Sequence, residues 1–130
     1  MPQPIEPPGW KRPSGYSNGM AASGRVLAVA GQVAWDAQQQ IVSRDFVAQF
    51  AQALDNVIAV VRAAGGGPSD IISMTVYVTD KLRYMGSTAE VGAVWRARAG
   101  KHFPAMALVE VSGLIEPGAL IEIQALAVLP

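Results

Sequence analysis

The chain has one histidine, His102, in the stretch HFPAMALVEV. A general base or metal ligand needs partners, and there is no second histidine, no cysteine and no close carboxylate to complete a triad or a ligand set. His102 is therefore expected to be exposed or simply packed. Asp36, Asp45, Asp55, Asp70 and Asp80 fall in expected turns and helix caps, where aspartate serves local hydrogen bonding, and none pairs with another for acid–base work. The glycine run in AAGGGPSD lacks the spacing and the preceding strand of a phosphate-binding loop, so it reads as a helix stop. Glu122 is different, because it stands in a strand-like run among Leu120, Leu126 and Val128. Such a carboxylate is either a solvated edge residue or a group held at an interface, where desolvation raises its pKa.

The elements that must position these residues can be read from periodicity. Arg25 to Trp35 is β-branched and small, the composition of a strand, and Gly31 within it suggests a bulge or a close backbone approach. From Asp45 to Ala64, Phe46, Phe50, Leu54, Val57, Ile58 and Val61 recur every three or four residues, predicting an amphipathic helix capped by Asp45 and stopped by Gly65-Gly66-Gly67-Pro68. Ile71 to Thr79 alternates, with Ile72, Met74, Val76 and Val78 on one face. A second helix is predicted from Tyr84 to Ala99, with Met85, Val91, Val94 and Trp95 as its apolar stripe. Strands at Met106 to Val111 and Leu120 to Val128 follow, separated by a turn at Pro117-Gly118. This order favours an α+β fold with two helices packed on one face of a sheet. The last strand then has an apolar face (Ile121, Ile123, Ala125, Ala127) and a mixed one containing Glu122, which suits a subunit contact.

Composition narrows the class. Ten basic and ten acidic residues cancel, and the basic ones divide evenly between the halves, so the electropositive stripe that nucleic acid requires is missing. No run approaches the roughly 18 apolar residues of a membrane span. Five of the nine prolines lie within MPQPIEPPGWKRPSG, which is no signal peptide and reads as an extended arm over residues 1–13, pinned by Trp10, before a single domain over 14–130. A cytoplasmic protein is the expectation, without nucleic acid or membrane as partners.

Several stretches occur together in a recognisable order: SGYSNG, AGQVAWD, QALDNVIAVVRAAGGGPSDIISMTVYVTD, FPAMALVEVSGL and IEIQALAV. On these the chain resembles the Rid family, also called YjgF, from about Ser14 to Val128. The resemblance implies a chorismate-mutase-like fold and a homotrimer whose sheets form a central barrel, with a cleft between each pair of neighbouring subunits. In well-understood members each cleft hydrolyses a small enamine or imine such as 2-aminoacrylate to a keto acid and ammonia, without cofactor or metal.

Matched residue by residue, the resemblance makes Tyr16, Gly31 and Glu122 the catalytic candidates and puts Ala105, Met106, Ala30, Leu108 and Trp95 in the substrate cleft. In the deaminating members the residue after P-A is an arginine that forks onto the substrate carboxylate; here it is Met106. Ala30 replaces a serine, Leu108 a frequent cysteine, and Ala89 is the position matched to a helix asparagine. A cleft so lined should favour a flatter or less charged ligand than 2-aminoacrylate. The favoured reading is an arginine-independent hydrolase of C=N bonds in which Glu122 handles water and the Gly31 backbone orients the substrate. The alternative is a binding or regulatory module that uses the same cleft without chemistry. RNA cleavage, attached to some relatives, is disfavoured by the charge balance.

Overall fold

A computed structural model describes residues 1–130. It contains six strands, β1 (Gln3–Ile5), β2 (Gly19–Ala21), β3 (Arg25–Gln32), β4 (Ile71–Val78), β5 (Ala105–Glu110) and β6 (Ile121–Leu129), and three helices, α1 (Phe46–Ala63), α2 (Lys81–Met85) and α3 (Thr88–Ala99). The last four strands form one mixed sheet in the order β3-β6-β4-β5, parallel only between β4 and β5. No helix is long and apolar enough to cross a membrane.

The expected stripe of α1 is buried along its whole length, and burying side chains of this kind contributes about 1.5–3 kcal/mol each. Asp45 caps the helix, its carboxylate accepting from the Ala48 amide at 2.9 Å. At the far end Gly65 takes φ +94°, its N–H donating to the Arg62 carbonyl and that of Gly66 to the Val61 carbonyl, a closure that favours glycine. The core lies between α1 and the sheet, where Val29, Met74, Val76, Val78, Ile121, Ile123, Ala125 and Ala127 pack against the helix.

Three expectations are corrected. The second helix is two helices, broken at Gly86 and Ser87, and it begins earlier because the Asp80 carboxylate caps the Leu82 and Arg83 amides. Met85 lies outside the buried stripe, at 62% exposure. In β4 the register shifts between Ile71 and Ser73, so that Ile71 rather than Ile72 enters the core.

The amino-terminal residues also depart from the expectation for Trp10, which is 64% exposed and pins nothing. Gln3–Ile5 instead pairs antiparallel with Gly19–Ala21, and the Glu6 carboxylate accepts from both the backbone and side-chain nitrogens of Asn18, at 2.8 and 2.6 Å. Helices cover one face of the main sheet only. On the other, Val26, Val109 and Leu126 are exposed beside Glu122, Gln124 and Tyr77.

Candidate functional site

The register of β5 on β4 decides which way the cleft candidates point. Met106 and Leu108 sit opposite Met74 and Val76, and paired residues share a face, so both lie on the helix side of the sheet. There they line a cavity of about 410 Å³ whose other walls include Phe50, Trp95, Phe103, Ser14 and Gly15. Trp95 is fixed twice: its ring stacks on Phe103 at a centroid distance of 6.5 Å, and its indole N–H donates to the His102 carbonyl at 3.0 Å. The His102 ring in turn meets the Ile71 carbonyl through Nε2 at 2.7 Å, so the lone histidine is a packing residue.

Tyr16, 41% exposed, lies in a more polar groove of about 480 Å³ that adjoins this cavity and shares Ser14, Gly15 and Phe103 with it. Its position is set by Ser17, whose hydroxyl donates to the Phe103 carbonyl and whose amide donates to the Pro104 carbonyl.

Gly31 and Glu122 lie elsewhere. Glu122 pairs with Tyr77 and, like Tyr77, faces away from the helices. The β3–β6 register shifts between Val29 and Gln32, and the backbone of Gly31 packs directly on the Glu122 side chain. A Cβ at position 31 would come within 2.8 Å of Glu122 Cδ and 3.1 Å of Cγ. Both sequence expectations for Gly31, a bulge and a close approach, are realised. Glu122 has no ion-pair partner, since Arg98–Asp55 is the only salt bridge of the chain.

Within one chain, then, the predicted residues form two groups on opposite faces of the sheet: Met106, Leu108 and Trp95 on one, Gly31 and Glu122 on the other. Ala30 is exposed and Ala105 is bridged to Ser17; neither lines the cavity. Ala89 is exposed and outside the cavity, whereas its neighbour Thr88 lines it. No three histidine, aspartate and glutamate side chains converge as a metal site would need.

Sequence reasoning missed Tyr84, Thr88, Gly92 and Arg96, which all line the cavity. For Thr88, Gly92 and Arg96 on α3 the spacing of four was the available signal, since positions four apart share one side of a helix; Tyr84 comes from α2, across the break. Burial pushes the Tyr84 phenol above its usual pKa by disfavouring the phenolate, and its ring meets Phe46 edge-on.

Helices on one face of a mixed four-stranded sheet, with the other face open, define a YjgF-type α+β fold. Comparison with known proteins agrees with this fold. A family model described as Endoribonuclease L-PSP matches residues 10–129. A RutC family protein from Pyrococcus horikoshii is 37% identical over 97% of this chain and 90% of its own length. The 2-iminobutanoate/2-iminopropanoate deaminase of Salmonella typhimurium is 38% identical over 81% of this chain and 80% of its own. Among solved structures, the Rid-family protein YyfB from Yersinia pestis, itself of unknown function, superimposes with TM-score 0.84 at 35% identity, covering 98% of both chains. The chain belongs to the Rid/YjgF family.

Proposed function

We propose that three copies assemble so that the cavity wall bearing Met106 on one copy meets Gly31 and Glu122 of the next, and that this shared cleft hydrolyses the C=N bond of a small, weakly charged or aromatic imine or enamine. Water adds to the imine carbon, the C–N bond breaks, and a carbonyl compound and ammonia leave. Glu122 positions the water and takes up its proton, the Gly31 backbone orients the substrate, and no cofactor is needed. The observation that carries this reading is the division of the matched residues between two faces of one sheet, which a single chain cannot bring together. The exposed Val26, Val109 and Leu126 on the face that carries Glu122 support it, since a further subunit would cover them. The deaminase relative supports the reaction class.

Met106 supports a substrate other than 2-aminoacrylate, because a thioether cannot pair with a carboxylate. The test uses 2-aminoacrylate generated enzymatically, with release of keto acid and ammonia followed for the natural protein, Met106→Arg and Met106→Arg/Glu122→Gln. The natural protein is expected to stay near the uncatalysed rate, the single variant to accelerate, and the double variant to lose that gain. A fast natural protein would refute the reading of Met106, and an unaffected double variant the role of Glu122. Light scattering should give the mass of three chains; a monomer would contradict the shared cleft. The apolar lining also favours a second reading, a ligand-binding module without chemistry. Saturable binding without product, unchanged by Glu122→Gln, would select it.

A further inference from the structure

The cavity contains a cation that the family comparison did not supply. Arg96 lines it from α3, whereas Met106 lines it from β5. Of the two arginines in the last turn of that helix, Arg98 is engaged, donating through Nε to Asp55 Oδ1 at 2.6 Å. Arg96 has no ion-pair partner. Its guanidinium lies back over Gly92, one turn earlier, where a Cβ would come within 3.3 Å of Nη1. Gly92 thus leaves room for the charge at the cavity wall, and it does so inside a helix, where glycine is unfavourable. Thr88 and the half-buried Tyr84 bring a hydroxyl and a phenol to the same cavity, and neither side chain makes a hydrogen bond within the chain. Apart from Ser14, the remaining side chains of the walls, including Trp95, Phe103 and Met106, are apolar.

We infer that Arg96 is the anion anchor of this cavity and that the ligand is a monocarboxylate with an aromatic or extended apolar body. The carboxylate sits on the guanidinium fork, the body lies along Trp95, Phe103 and Met106, and Gly92 keeps the fork in reach. Beyond the guanidinium the walls are largely apolar, which favours a ligand whose body is longer than that of a three-carbon acid. This inference rests on the cavity being the ligand site and, of the two substrate classes proposed above, keeps the aromatic one and sets aside the weakly charged one; it does not require the Glu122 chemistry.

The test measures calorimetric affinity for a matched pair of stable probes, 3-phenylpropanoate and 3-phenylpropanamide, which differ in charge at one end. The natural protein is expected to prefer the carboxylate by roughly ten- to a hundredfold, and Arg96→Gln to abolish that preference while leaving the amide unchanged. Because Arg96 is exposed, the glutamine variant should keep the natural thermal midpoint. Gly92→Ala provides a readout that a structural role would not move: helix propensity should raise stability while carboxylate affinity falls. Equal binding of both probes, untouched by Arg96→Gln, overturns the anchor and leaves the cavity as a neutral-ligand site. Failure of both probes to bind the natural protein overturns the cavity itself as the ligand site. The aminoacrylate assay above reports separately on Glu122.

Discussion

Gln49 is a polar residue on the buried stripe of α1 and is entirely inaccessible to solvent. Its side-chain nitrogen donates to the carbonyls of Ser43 at 2.9 Å and Gly118 at 2.8 Å, and its oxygen accepts from the Leu120 amide at 2.9 Å. One side chain therefore ties two loops to the helix, one of them leading into the strand that carries Glu122. Gln49→Met keeps the length and apolar packing but strands a buried N–H and two carbonyls. Three net hydrogen bonds at about 1 kcal/mol each, with the extra penalty of an orphaned amide, make an expected loss of roughly 3–4 kcal/mol. For a chain of this size that corresponds to about 10–14 °C in the thermal midpoint. Calorimetry at one fixed protein concentration, chosen because assembly makes the midpoint concentration-dependent, gives the number. Hydrogen exchange should locate the damage at the Leu120 amide. A loss below about 1 kcal/mol, or an unchanged Leu120 protection, would show that the loop before β6 is held by something else.

Three further outcomes are expected. Gly31→Ala should displace the Glu122 carboxylate and, in the Met106→Arg background, lower turnover about a hundredfold with only a small change in thermal midpoint; unchanged turnover would separate the close approach from the chemistry. The raised Tyr84 pKa means that above about pH 10 the folded chain keeps a phenol proton that the unfolded chain releases, so stability should fall as pH rises through that region. Tyr84→Phe should flatten that fall in urea titrations on either side of pH 10, and an identical slope would contradict it. The partly exposed Arg98–Asp55 pair should give a coupling of only about 0.5 kcal/mol in a double-mutant cycle, and less in high salt.

What was legible in the sequence was what periodicity and chain punctuation carry. The stripe of α1 could be read because every third or fourth residue is large and apolar, and its end because three glycines and a proline leave no other reading. The alternation of β6 already separated Glu122 from Ile121 and Ile123. Gln49 was illegible, since a glutamine on a buried stripe looks like an interruption until the two loops that it satisfies are in place. Arg96 was illegible for a related reason: beside Arg98 it reads as a basic helix end, and only the packing shows one arginine paired and the other at a cavity. Met106 was singled out by resemblance, but the face that it occupies depended on the parallel register of β5, which depends in turn on a pairing between strands more than thirty positions apart.

The packing of Gly31 on Glu122 couples two positions ninety-one apart, as 122 − 31 gives. Neither site has an independent tolerance to change: a methyl group at 31 takes up the volume that the glutamate stem occupies, and a carboxylate one methylene shorter at 122 gives part of it back. In a library that varies both, Gly31→Ala and Glu122→Asp should each be harmful alone, and together less harmful than their sum. The pair would emerge as a compensating couple although nothing in the linear sequence links them, and the strength of that epistasis would measure how tightly the loss of one side chain is used to hold another.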